Sequence, residues 1–215
     1  MSPDLPSLRH GETCLIIGNG PSLRDVPQEF LNKYDTFGAN RIYLRFVPTF
    51  YVAINPLVCE QFAGEIEKLE CKAKFIRAEF ADQISGSIPL HSRKHPHFSR
   101  SPIEQGVHGG FTVTYVALQL AFAFGYRTAL LAGVDHRYIF EGAPNEERVL
   151  EGDDPNHFDP AYFRGVRWNN PDLAHSETSY KMAKTVFEYD GRRLINLGPD
   201  SALDVLERGQ LKEWA

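Results

Sequence analysis

Leu15-Ile16-Ile17-Gly18-Asn19-Gly20-Pro21-Ser22-Leu23 is the stretch on which the reading of this chain turns. An apolar strand runs straight into Gly, Asn and Gly, followed by a proline suited to the first position of a helix. Such a turn brings backbone N–H groups up to a ligand with little side chain in the way, and phosphate is its usual occupant. The spacing Gly18-x-Gly20-Pro21-Ser22 lacks the third glycine of the dinucleotide fingerprint and the lysine of a P-loop. It therefore indicates a nucleotide without reproducing either motif. A plain turn into a short helix uses similar residues.

Outward from this stretch, Asp35 to Ala39 and Phe50 to Ile54 read as two further buried strands, each followed by asparagine, Asn40 and Asn55. In an open parallel sheet the ligand crevice lies outside the carboxyl ends of the strands, which would place Asn19, Asn40 and Asn55 along one rim. Taken singly, each asparagine is also an ordinary turn former. Leu57 to Leu69 reads as a helix and Ala73 to Ile76 as a strand, followed by a long aperiodic interruption from Ala78 to Gly110. Thr112 to Phe124 is a strongly apolar helix, and Thr128 to Ala132 a buried strand ending in Gly133-Val134-Asp135. Alternating elements of this kind predict one α/β domain over residues 1–215: a Rossmann-like, doubly wound, mostly parallel sheet with helices on both faces.

A second interruption holds Tyr138, Asp153, Asp154, His157, Asp159, Tyr162, Arg164, Trp168 and Asn169, more polar and aromatic groups than a connector requires. Residues 136–175 are accordingly expected to form a lid over an active site. The lid closes on His175-Ser176, after which Glu177 to Tyr189 reads as an amphipathic helix with Tyr180, Ala183 and Phe187 inward, and Leu194 to Leu197 as a last strand. His175 thus falls at a helix N-terminus, where the dipole disfavours the imidazolium and leaves a ring able to accept a proton. The plainer reading is a surface histidine beside an N-cap serine.

Composition narrows the function classes. The chain has 215 residues, 42% hydrophobic and 24% charged, with a net charge of −5, and so carries no nucleic-acid footprint. Arg93, Lys94, His95, His97 and Arg100 form a local basic stretch that would suit an anionic ligand or simply a solvated loop. Cys14, Cys59 and Cys71 are scattered singly, which argues against a disulfide framework and a zinc knuckle. Met1 to Glu12 is polar, without the apolar stretch of a signal peptide, and Tyr115 to Gly125 is far short of a membrane span. Reduced thiols and a cytoplasmic location are expected, with at most peripheral membrane contact.

The order of Gly18-Asn19-Gly20-Pro21-Ser22-Leu23, Tyr34-Asp35-Thr36-Phe37 leading to Asn40, Asn55-Pro56, Ala123-Phe124-Gly125-Tyr126, Gly133-Val134-Asp135, His175-Ser176 and Pro199-Asp200-Ser201 resembles the bacterial lipooligosaccharide sialyltransferases, from about residue 13 to about residue 203. It also resembles a wider Rossmann-like group that includes 6-hydroxymethylpterin pyrophosphokinases and uncharacterised polysaccharide-locus proteins. The first resemblance implies inverting transfer of a sugar from a CMP-activated donor to a glycan or lipid-linked acceptor in surface polysaccharide synthesis. Gly18, Asn19, Gly20, Ser22, Asn40 and Asn55 would bind the nucleotide, with Gly110 and Thr112 at the entry to the long helix and Asp135 after its strand. His175 would be the base, and Tyr138 and Tyr162 the two lid tyrosines that bond the departing phosphate. Two departures stand out. Tyr138 is one residue away from the family's first tyrosine, and His108-Gly109-Gly110-Phe111-Thr112 replaces a Thr-Ser-Gly entry.

The family's enzymes are often oligomers, which makes a homo-oligomer an expectation here. The chain has no Asp-x-Asp triplet, and a CMP donor carries one phosphate, so no cofactor and no metal are expected beyond the CMP-sugar co-substrate. A magnesium-dependent pyrophosphokinase would instead use Asp135, Asp153, Asp154 and Asp159 as carboxylate ligands. A nucleotide-binding protein of an envelope operon that lacks chemistry is the third reading.

Overall fold

The structure, a computed structural model, describes residues 4–215; Met1–Pro3, where the polar N-terminal stretch begins, lie outside the described residues. In chain order the strands are β1 (Thr13–Ile17), β2 (Asp35–Ala39), β3 (Phe50–Ala53), β4 (Ala73–Arg77), β5 (Ser87–Leu90), β6 (Thr128–Ala132), β7 (Glu147–Val149), β8 (Arg167–Asn169), β9 (Arg193–Asn196) and β10 (Glu207–Arg208). The helices are α1 (Leu5–Leu8), α2 (Gln28–Lys33), α3 (Pro56–Glu67), α4 (Ala78–Ala81), α5 (Pro102–Gln105), α6 (Val113–Ala123) and α7 (Leu173–Tyr189). Eight of the strands form one all-parallel sheet in the order β10-β9-β6-β1-β2-β3-β4-β5, while β7 and β8 pair antiparallel within the insertion.

The central strands β1, β3 and β6 are largely apolar because both faces of the sheet are covered there. Cys14 and Ile16 of β1 join Phe37, Phe50, Phe75, Ala129 and Leu131 in a core closed by α6 and α7. Leu15 and Ile17 point the other way, with Tyr51, Ala53, Leu130 and Ala132, into a second core closed by α2, α3 and the middle of the insertion. Helix α6 is buried at every position from Thr114 to Phe122, which explains its unbroken apolar run. Its fully buried amide, Gln119, accepts from the Ser99 N–H at 3.0 Å and donates to the His108 carbonyl at 2.9 Å. Those two bonds pin the first long interruption to the helix beneath it.

From β1 the chain builds outward to β5, then crosses through α6 to place β6 on the opposite flank of β1. The switch point therefore lies between the carboxyl ends of β1 and β6, where open α/β sheets bind ligands.

Three expectations need correction. Helix α7 starts at Leu173 rather than Glu177, capped by Asp172, whose carboxylate accepts from the His175 N–H. The outer strands β5 and β10 were not legible: β5 is short and carries Pro89, and β10 pairs through Glu207 and Arg208 alone, as suits edges that must not recruit another chain. The insertion is no free lid either, since Phe158, Tyr162, Phe163 and Trp168 belong to the second core. Among the described residues no helix is long and apolar enough to cross a membrane.

Candidate active site at the sheet switch point

A cavity of about 520 Å³ opens above the carboxyl ends of β1, β2, β3 and β6. One wall is Gly18, Asn19, Gly20, Asn40 and Asn55; another is Gly133, Val134 and Asp135 with Thr112 behind; the insertion supplies Tyr138, Asn156, His157, Trp168 and Asn170. The three strand-end asparagines do share one rim.

At the turn itself the glycines serve the protein first. A Cβ on Gly18 would sit 2.3 Å from the Gly133 carbonyl oxygen, and one on Gly20 would meet the Asp135 carboxylate at 2.4 Å. Both are glycines because β1 and β6 converge here. The Gly18 N–H donates to Ala132 O at 2.8 Å, Gly20 N–H to Gly133 O at 2.9 Å, Ser22 N–H to Asp135 at 2.9 Å and Leu23 N–H to Gly20 O at 3.1 Å. Ser22 also turns its hydroxyl onto Asp135 and does not reach the cavity. The expectation that this turn offers a row of free amides is thus corrected in part: those at Gly18, Gly20, Ser22 and Leu23 are bonded within the protein, and that of Asn19, on the cavity wall, is not.

What the rim leaves unpaired are side-chain oxygens. Asn19 donates to Ala39 O at 3.2 Å through Nδ2, yet its Oδ1 has no partner; Asn40, at φ 53°, likewise has a buried Oδ1 without one. An orphaned buried acceptor costs about 1–3 kcal/mol, so its retention points to a ligand or water that donates to it. Asn55 differs, since its Oδ1 caps α3 by accepting from Leu57 N–H at 2.9 Å. Gly110 lies off the cavity, where its φ of 63° and the Tyr115 ring, 2.3 Å from a built Cβ, both demand glycine.

His175 is not itself among the residues that line the cavity; its side chain is 65% exposed and lies against Asp172 and Phe111, which do line it. Its Nδ1 lies 2.9 Å from both Asp172 oxygens, and its ring stacks on Phe111 with centroids 4.7 Å apart. With Nδ1–H donating to the carboxylate, Nε2 keeps the lone pair. Asp172 was missed by sequence reading. Burial alone would raise its carboxyl, but hydrogen bonds from His175 and Asn145 outweigh this and hold it below the usual carboxylate range. The sign follows: its stability contribution is present above the ordinary carboxylate pKa of about 3.9 and disappears as pH falls through the lower folded value. Asp172→Asn is therefore expected to flatten the acid-side decline of stability, checked by urea midpoints across mildly acidic pH; an unchanged slope would refute it.

The two lid tyrosines part company. Tyr138 lines the cavity, but Tyr162 is fully buried beneath it, its hydroxyl accepting from the Arg41 N–H at 2.9 Å and its ring stacked on His157 at 4.1 Å. Tyr162 is a prop of the insertion, not a group in reach of a ligand. The acidic residues that might have gathered round magnesium are likewise dispersed: Asp135 holds Ser22, Asp153 pairs with Arg164, Asp154 with His157, and Asp159 caps the Ala161 N–H. Among the described residues no group of three or more His, Cys, Asp or Glu is placed to hold a metal ion.

A parallel sheet with its crevice at the switch point and an insertion folded over the crevice defines a doubly wound α/β protein. More particularly, the fold is that of sialyltransferase structures. It is similar to the sialyltransferase CstII from Campylobacter jejuni in complex with cytidine-5'-monophosphate, with a TM-score of 0.55 and 15% identity over 94% of this chain and 86% of that one. The same enzyme in complex with CMP-3FNeuAc gives 0.52 and 16% over 92% and 86%. The monofunctional alpha-2,3-sialyltransferase Cst-I from Campylobacter jejuni gives 0.50 and 16% over 89% and 78%. No protein-family model matches the sequence, and no curated protein matches it as a relative.

Proposed function

We propose that this protein is an inverting glycosyltransferase of the sialyltransferase-like type, using a CMP-activated sugar and a hydroxyl of a glycan or lipid-linked acceptor. The observation that carries the proposal is a cavity with orphaned Asn19 and Asn40 oxygens on its rim and Asp172 on its wall, the carboxylate that orients the neighbouring His175. The asparagine oxygens suit groups that donate, such as the exocyclic amine of cytosine or ribose hydroxyls. His175 Nε2 takes the proton of the acceptor hydroxyl as its oxygen bonds to the anomeric carbon; the bond to phosphate breaks and CMP leaves with the electron pair. Structural similarity to sialyltransferases with bound CMP and CMP-3FNeuAc supports the donor class.

We further propose that no divalent ion is required and that the protein works in the cytoplasm, meeting membranes at most peripherally.

A thermal-shift panel of CMP, CDP, UDP, GDP and ATP, with and without magnesium, tests the reading. CMP alone is expected to raise the midpoint by several degrees, since ligand at 100 times its dissociation constant adds about 2.7 kcal/mol. Silence towards every cytidine nucleotide would overturn it.

A further inference from the structure

The insertion contains a second aspartate–histidine pair that the proposed mechanism does not use. His157 Nδ1 lies 2.8 Å from Asp154 Oδ2, with both side chains buried. Every other side of His157 is held. Its ring lies flat on Tyr162, interplanar angle 3°, with the edge of Phe163 at 5.1 Å, and its carbonyl accepts from Arg24 at 3.2 Å. Nε2 makes no hydrogen bond within the protein, and His157 lines the cavity. The next residue's N–H, that of Phe158, donates to Asn19 O at 2.9 Å, so the ring is fastened beside the glycine turn.

That location has an unmet need. A phosphate at the switch point calls for donors, yet the turn's amides at Gly18, Gly20, Ser22 and Leu23 are committed to the protein and Tyr162 is buried away, which leaves the Asn19 N–H and the Trp168 indole N–H as neutral donors on the wall and no unpaired charge in the turn. Arg77, also on the wall, is paired with Glu79 through two nitrogens at 3.1 Å.

We propose that His157 is the phosphate-binding residue of the site, its Nε2–H donating to the phosphate of a nucleoside monophosphate while Asp154 and Tyr162 position the ring. With Nδ1–H on Asp154 and Nε2–H on the phosphate, both ring nitrogens donate. Besides Asp154, the titratable or charged groups around it are Tyr138 and Tyr162, whose rings face it, Arg24 on its carbonyl, and Asp135 across the cavity. During transfer no bond to His157 forms or breaks; its hydrogen bond strengthens as negative charge gathers on the leaving oxygen. The inference rests on the nucleotide reading above, and the test separates the two.

Affinities for CMP and for cytidine, which lacks the phosphate, are measured by calorimetry on the whole protein. His157→Phe, which keeps the stack, is expected to weaken CMP by about 10- to 100-fold while cytidine changes less than about two-fold. Asp154→Asn should move CMP in the same direction by less, and His157→Gln, which restores an N–H near Nε2, should recover part of the loss. A merely structural role would lower both affinities together, and that result overturns the proposal. So does an unchanged CMP affinity in both His157 variants, or a loss found only in Arg137→Ala, which removes a second arginine that lines the cavity besides Arg77. If UMP, AMP or GMP binds in place of CMP, the donor reading fails and the same comparison is made with that nucleotide and its nucleoside. If no nucleoside monophosphate binds the wild type better than its nucleoside, His157 has no phosphate to hold and the proposal falls.

Discussion

His175→Ala is expected to lower the rate of transfer from a CMP-sugar by about 100- to 10,000-fold, the usual contribution of a positioned base, while CMP affinity stays within about two-fold. The split follows from position. His175 packs on Asp172 and Phe111 of the cavity wall and is outside the lining that includes Asn19 and Asn40, so its loss is expected to remove proton transfer and leave nucleotide contacts in place. Asp172→Asn refines the test, because asparagine caps a helix about as well as aspartate but cannot hold the imidazole through a negative charge. It should lower kcat by about 10-fold or more with little change in KM. CMP release with and without acceptor, with calorimetry of CMP binding, measures both. A His175→Ala protein that transfers at the wild-type rate would remove the base from the scheme.

Gly18→Ala is expected to have the largest effect on stability. Its new methyl would lie 2.3 Å from Gly133 O and 2.8 Å from the Gly133 carbon and Val134 Cγ2, all parts of the neighbouring strand's end rather than a flexible tip. The strands must part, at a cost of about 3 kcal/mol, which for a chain of this size lowers the melting midpoint by roughly 6–12 °C. Gly64→Ala is the control. It lies in α3 with nothing within 4 Å of a built Cβ, so alanine there is expected to stabilise by about 0.5–1 kcal/mol through helix propensity. Equal urea midpoints for the two variants would contradict this account of the turn.

The central strands were legible because burial on both faces forces an unbroken apolar run, and β1, β2 and β6 fall on the residues such runs mark. Strand β5 escaped because Ser87 and Pro89 at an edge answer to solvent and to the avoidance of pairing, not to a core. Helix α7 was read late because its first turn, Leu173 to Ser176, has no apolar period and its cap is Asp172 rather than Ser176.

At the site, Asn19, Asn40 and Asn55 could be read from strand ends because topology alone brings those ends together. Tyr162 could not, since no periodicity sets the direction of a side chain in irregular backbone. One signal was present and unread: Asp154-x-x-His157 and Asp172-x-x-His175 share the same spacing, which let each carboxylate reach Nδ1. The geometry that makes each pair is local, but its place at the cavity is not.

The bonds from Gly18 to Ala132 and from Gly20 to Gly133 also set an order of assembly. Gly18 and Gly20 wait for a strand more than a hundred positions downstream before their turn can take its final shape. A nascent chain halted before β6 therefore has the glycine sequence but not the loop, and the rim at Asn19 takes its shape only with the closing of the sheet.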